Sequence, residues 1–283
     1  MTVDIGRFGI WVSSRSPSMT PELAQEIESL GFGTIWLGSS ATNLDPPERF
    51  LDSTSRIAVA TAIVNMWASP SAEVGASYHR VVAKHPGRFL LGVGIGHPEA
   101  NAGYHSPYQT ILNYLDDLDA AGVPKQGRLL AALGPRTIRL AGERTAGAHP
   151  FMTTPAHTRQ ARSILGAGPL LAPEQKVVLS TDADYAHSIG RQRFGPVLRM
   201  VNYRNSMARM GFAAEQVENA SDEVLDAVIA YGTADDLVGR LNAHLDAGAD
   251  HVSAYILTAS GDVDDEYRQA LRALADALPQ AHP

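Results

Sequence analysis

The chain has 283 residues, no cysteine and a formal net charge of −7, with 45% apolar and 19% charged residues. Disulfides, thiolate catalysis and cysteine-ligated zinc are excluded, and without a Lys/Arg block a surface built to neutralise nucleic-acid phosphates is not expected. The N-terminus lacks the basic region and apolar stretch of a secretory signal, and no run reaches the roughly 20 apolar residues that span a bilayer, so the expectation is a cytoplasmic protein with no membrane and no nucleic-acid partner.

Taken in chain order, residues 8–12 (FGIWV) form an aromatic and β-branched strand, and residues 18–30 a helix with Thr20 as N-cap, Pro21 at its first position and Gly31 at its end. Residues 34–37 are the next strand, 38–47 a polar loop and 48–56 a short helix. The near-continuous apolar run 57–67 suits a strand covered on both faces. A helix then runs from Ser71 to residue 85, with Val74, Tyr78, Val81 and Val82 along one side. Residues 89–95 read as a buried strand in which Gly92, Gly94 and Gly96 alternate, which argues for close approach of something.

A polar loop follows to Pro107, then a helix over 108–121 with Ile111, Leu112, Leu115 and Leu118 on its apolar face. Residues 129–133 form a strand that hands over at Gly134-Pro135-Arg136 to a helix. Residues 148–152 and 155–165 repeat the strand and helix pair, and 176–180 reads as a strand. The stretch 182–210 is helical with a break at Gly195-Pro196, and 213–229 is more helix interrupted near Ala220. A helix over 233–247, capped by Thr233, a strand at 251–257 and a helix at 266–278 close the chain. Eight strands alternating with helices over about 250 residues predict an α/β (β/α)8 TIM barrel in one domain, 1–283, with a helical region inserted before the last strand; a doubly wound sheet is the structural rival.

In a barrel, ligand-binding groups gather at the C-terminal ends of the strands. His97 ends the fourth strand, where an imidazole can orient a substrate, donate to a carbonyl or exchange a proton. Gly134-Pro135-Arg136 offers free backbone N–H groups and a cation at a helix start, a setting for phosphate. Thr153 and Thr154 add hydroxyls at another helix start. Ser39, Ser40 and Asn43 follow the second strand, where hydroxyls and amides bind well but are weak bases. The loop with Glu99, Asn101, Tyr104 and His105 holds a proton carrier or is simply solvated, and Trp11 and Trp36 either line a pocket or pack the core. His79, His85, His149, His157 and His187 show no metal-ligand spacing, and the glycines before His97 do not follow the GxGxxG dinucleotide pattern.

The segments FGIWV, LGFGTIWLG, ATAIVNMW, HPGRFLLGVGIGH, LLAALGPRTIRLAGERTAGAHPFMTTPAHT and YGTADDLVGRLNAHLDAGADHV, in this order, resemble the bacterial luciferase-like monooxygenase superfamily, especially its branch that uses the deazaflavin coenzyme F420 in place of FMN. The resemblance implies an F420-dependent oxidoreductase that moves a hydride between the deazaflavin and a small organic substrate. FMN-dependent monooxygenation, or a barrel that binds its cofactor without catalysis, are the alternatives. It further implies that Ile63, Val64 and Asn65 lie beneath the cofactor ring, where segment 62–64 can carry a non-proline cis peptide. Tail contacts would come from Gly134, Pro135, Arg136, Thr153 and Thr154, with His97, Glu99 and Ser39 as catalytic candidates. A homodimer packed through helices beside the early strands is implied as well, with Val74, Tyr78 and Val81 either a candidate face for it or cover for the barrel. Several relatives carry a histidine or acidic residue where this chain has Ser39, Ser40 and Asn43, so no particular alcohol or sugar-phosphate oxidation carries over.

Overall fold

The computed structural model describes residues 3–101, 103 and 105–279. Its first half runs β1 (Phe8–Ser13), α1 (Pro21–Ser29), β2 (Thr34–Gly38), α2 (Asp45–Ser53), β3 (Ala58–Thr61), β4 (Val64–Asn65), α3 (Ser71–Lys84), β5 (Phe89–Gly94) and α4 (Pro107–Ala120). It continues through β6 (Arg128–Leu130), α5 (Pro135–Arg144), β7 (Gly147–Ala148), α6 (Pro155–Leu165), β8 (Leu170–Leu171) and β9 (Glu174–Val178). Then follow α7 (Ala183–Leu198), α8 (Val201–Arg209), α9 (Ala214–Glu218), α10 (Asp222–Val228), β10 (Ile229–Tyr231), α11 (Ala234–Asp246), β11 (Val252–Ile256) and α12 (Asp265–Ala277).

All named strand pairs are parallel, and the path from β11 through β1, β2, β3, β5, β6 and β7 to β8 curls back on itself. β8 passes into β9 with only two residues between. The Ala172 N–H donates to the Ala148 carbonyl (3.0 Å) and the Glu174 N–H to the Pro150 carbonyl (3.0 Å), which carries the ladder on from β7, and β9 then pairs with β11. With β3/β4 and β8/β9 each read as one interrupted strand, the ring closes as the expected (β/α)8 barrel. β10 is an additional strand laid against β9 at Lys176, Val177 and Val178.

Alternation along the strands sorts the core into two layers. Ile10, Val12, Ile35, Leu37 and Val59 face outward against the helices. Trp11 and Trp36, directly paired across β1 and β2, point into the barrel with Ala58, Ala60, Leu90 and Leu129. Two indoles fit there because small residues stand opposite, and Gly38 leaves the space that the Trp11 ring takes. Helix ends follow local chemistry: Thr20 accepts from the Leu23 N–H and Thr233 forms a capping box with Asp236.

Several sequence expectations need correction. The 57–67 strand is split, with the cis peptide between Ala62 and Ile63 in the gap. The strand expected at 148–152 is only Gly147–Ala148, and that expected at 176–180 occupies 174–178. α7 runs through Gly195-Pro196 and ends at Leu198; Pro196 stands close enough to the helix end that its missing N–H does not stop the turn before it. Ile229, expected to end a helix, instead opens β10. Val74, Tyr78 and Val81 are buried by this chain's own barrel and helices and present no free face. No helix among the described residues is long and apolar enough to cross a membrane.

Candidate functional site

At the C-terminal ends of the strands lies a cavity of about 970 Å³, at the upper end of the roughly 300–1,000 Å³ typical of small-molecule sites. Trp11, His149 and Phe151 form its floor. One side is strand-built: Ser39 and Ser40 after β2, Ala62, Ile63 and Asn65 around the cis peptide, and Ile95, Gly96 and His97 after β5. The other side is built by the β6–α5 turn with Gly134 and Thr137, and by α8, which contributes Asn202, Tyr203, Asn205 and Arg209.

The alternating glycines of β5 are explained by this chain rather than by a ligand. A Cβ on Gly94 would stand 3.1 Å from the Ile63 side chain, and one on Gly96 3.0 Å from the Asn65 amide nitrogen. Gly92 packs against the Thr61 carbonyl, and Thr61 Oγ1 takes the Gly92 N–H (2.8 Å) while donating to its carbonyl (2.8 Å). The β3–β4 turn is thereby pressed onto β5, and Asn65 is fixed by accepting from the Trp67 N–H (2.9 Å) and donating to Asn101 (3.1 Å).

The structure divides the sequence-derived site residues. Ser39, Ile63, Asn65, His97 and Gly134 line the cavity. Val64 does not: strand alternation turns it outward into the core beneath the helices. Glu99 also stands outside, exposed, with its carboxylate accepting from the Val201 N–H (2.8 Å) at the first turn of α8. It thus serves as a remote cap where Met200, the N-cap residue, has no side-chain acceptor to offer. Backbone N–H groups, its own and that of Val201, hold its pKa below the usual carboxylate value. Pro135 and Arg136 are exposed, and the Arg136 guanidinium lies 3.4 Å over the Tyr108 ring instead of facing the cavity. Thr154 caps α6 by accepting from the His157 N–H (3.2 Å), and Thr153 is buried behind it. Trp11 lines the floor, whereas Trp36 lies under it; Tyr104 falls outside the described residues.

His97 packs against Tyr203, with ring centroids 4.7 Å apart. Burial lowers its pKa below the ordinary imidazole value, with Glu99 opposing, so the neutral form dominates at pH 7. No carboxylate is among the lining residues, but two cations are, Arg15 and Arg209. Neither side chain has a hydrogen bond or ion pair to the described residues. The Arg209 guanidinium lies 3.8 Å from where a Cβ on Gly134 would stand, beside the open N-terminus of α5, whose N-cap glycine supplies no side-chain acceptor. In a chain of net charge −7, Arg209 thus brings positive charge to the β6–α5 rim of the cavity. Sequence reasoning missed Arg209 because nothing local to α8 marks it; the helix had to be placed against Gly134 first.

Beneath the floor the barrel holds buried polar groups in fixed pairs. His251 donates from Nδ1 to the Gly6 carbonyl (2.9 Å) and accepts at Nε2 from the Trp36 indole (2.9 Å). Burial drives the pKa values of His149 and His251 each down to about 4. Glu174 and Lys176, both fully buried, pair at 2.9 Å and 3.0 Å, with Lys176 Nζ 3.8 Å above the Phe151 ring. Glu174 also accepts from the Met152 N–H (3.1 Å), where the backbone turns with φ 58°, so the pair holds the segment that carries Phe151 into the cavity.

Residues 3–118 match the family model of the luciferase-like monooxygenases, which bears out the resemblance read from the sequence. No curated protein matches. Among solved structures, the chain is similar to an F420-dependent secondary alcohol dehydrogenase determined with an F420–acetone adduct (13% identity, 100% of both chains, TM-score 0.75). It is also similar to the coenzyme F420-dependent tetrahydromethanopterin reductase of Methanopyrus kandleri (15% identity, 98% and 99% covered, TM-score 0.71). A third likeness is to the FMN-bound oxygenating constituent of 3,6-diketocamphane monooxygenase from Pseudomonas putida, a type II Baeyer–Villiger enzyme (14% identity, 96% and 97% covered, TM-score 0.70). The protein thus shares its barrel fold with F420- and FMN-dependent enzymes.

Proposed function

We propose that this protein is an F420-dependent oxidoreductase that passes a hydride between the deazaflavin and a small organic substrate. The observation that carries the reading is unpaired Arg209 beside the open α5 N-terminus, on a cavity of about 970 Å³ with no carboxylate in its lining. A tail bearing phosphate and carboxylates suits that rim, and three fused rings with a substrate beside them suit that volume.

The bound deazaflavin supplies hydride acceptance and donation at its ring carbon. Arg209 and the α5 amides bind the anionic tail, while Ile63 and Asn65, braced by β5, support the ring. Phe151 and Tyr203 exclude water from its surroundings. His97, neutral at pH 7, holds a proton on one ring nitrogen and takes one up on the other beside the substrate. A homodimer belongs to the same proposal, through a face other than Val74, Tyr78 and Val81, and sedimentation reads it directly.

The test is titration with F420 and with FMN, followed by absorbance and fluorescence. F420 is expected to bind at least about tenfold more tightly. Tighter FMN binding with oxygen consumption by the reduced complex would transfer the reading to a monooxygenase. Binding of neither below about 1 mM would remove the enzyme reading altogether.

A further inference from the structure

Two residues of the cavity floor, His149 and Trp11, each hold a buried polar atom for which the described residues supply no partner. His149 is 2% exposed, lines the cavity and engages the Ala172 carbonyl through Nδ1 (2.7 Å). A carbonyl only accepts, so Nδ1 bears the hydrogen and Nε2 is left as a lone-pair acceptor. Nε2 is buried and has no partner among the described residues. Protonation does not relieve it at neutral pH, because burial disfavours the imidazolium. The ring is also locked in place: Trp36 stacks beneath it at 4.3 Å with planes 9° apart, and Trp36 is itself tied to His251.

Trp11 stands directly opposite Trp36 in the strand register, borders the same cavity and is 8% exposed. Its indole N–H, which can only donate, is likewise buried and unpartnered among the described residues. Tyr255 and Phe151 hold the Trp11 ring at centroid distances of 4.3 Å and 5.4 Å. Buried polar groups without partners are rare in folded proteins, and at a cavity wall they mark where a bound molecule completes the set.

We propose that His149 and Trp11 together read the imide edge of the cofactor ring, the ring N–H donating to His149 Nε2 and an adjoining ring carbonyl accepting from Trp11 Nε1. This rests on the cofactor reading above. One fixed acceptor and one fixed donor on an otherwise apolar floor match the alternation of N–H and C=O along a pyrimidinedione, which F420 and FMN share. With the anionic tail at the Gly134 and Arg209 rim, the ring is the part left to descend to that floor. Both residues are positioning residues: they hold the ring and take no part in bond making.

The experiment follows the His149 Nε2 resonance in the full-length, ¹⁵N-histidine-labelled protein. It is expected at the position of a free imidazole acceptor without ligand and to move upfield on saturation with F420 or FMN. His149→Phe is expected to weaken F420 binding by about 10- to 100-fold, with His149→Gln, which keeps an acceptor, recovering part of it. Should His149→Phe fail to fold, the unaltered protein still decides, since 3-methyl-FMN, lacking the imide N–H, is expected to bind more weakly than FMN. Three results overturn the proposal while leaving the cofactor reading in place: an Nε2 resonance unmoved at saturation, one already at the bonded position without ligand, as a resident water would produce, or equal affinity for FMN and its 3-methyl derivative. Failure of both F420 and FMN to bind removes both.

Discussion

The two sides of the cavity are built by different means. The floor and the β2–β5 side hang on barrel backbone: each residue there is set by a strand register and braced from below by buried partners such as His251 or the Glu174–Lys176 pair. The opposite side is a helix face, α8, which reaches the barrel through side chains and brings unpaired Arg209 to Gly134. The first side therefore trades stability for precision, because it buries polar groups that an apolar core would not contain. The second side is energetically cheap to alter and controls charge.

Acidification separates them most widely. His149 and His251 have folded-state pKa values of about 4 against about 6.5 when unfolded, so the unfolded chain binds protons first as pH falls. The stability they provide is complete above about pH 6.5 and is lost as pH drops towards 4, by about 3 kcal/mol for each imidazole. Urea midpoints measured from pH 8 to pH 4 should be level and then fall steeply. A midpoint level down to pH 4 would mean that the floor is more open to water than its burial indicates.

Lys176→Met probes the same side without a pH change. It leaves Glu174 buried beneath Phe151 without its cation, and the expected loss is about 3–5 kcal/mol in urea unfolding. Replacing both members, as Glu174→Leu with Lys176→Met, should recover much of that. If the double variant is no better than the single one, the support of Met152 by Glu174 matters more than pairing.

Arg209→Ala should do the reverse: little change in unfolding, but about 10- to 100-fold weaker F420 binding and a shallower salt dependence. An unchanged affinity would move the tail site away from α5.

Much of the barrel was legible because its strands announce themselves by composition. FGIWV, TIWL and FLLGVG are apolar runs bounded by glycine or polar loops, and the Gly134-Pro135 step marks a helix start without ambiguity. Harder to see were β7, only two residues long, and β9, where Glu174 and Lys176 alternate as they would on a solvent-facing strand. Those charges face inward because each neutralises the other, which no local pattern reveals. The same limit applied to the site. His97 and Asn65 end recognisable strands, whereas His149 read as one of several scattered histidines until Ala172, Trp36 and the cavity stood around it. Glu99 drew notice as a loop acid, and its task in the fold is to cap a helix.

That contact has a consequence for anyone recombining this barrel with its relatives. Among the described residues the β5–α4 connection and α8 are stitched by Glu99 to the Val201 N–H, by the Asn202 amide to the Gly96 carbonyl (2.7 Å) and by His97 packing on Tyr203, although the two segments lie far apart along the chain. The mouth of the barrel is therefore not a set of interchangeable loops. A chimera that imports either segment alone inherits half a seam, and the two have to be exchanged as one module.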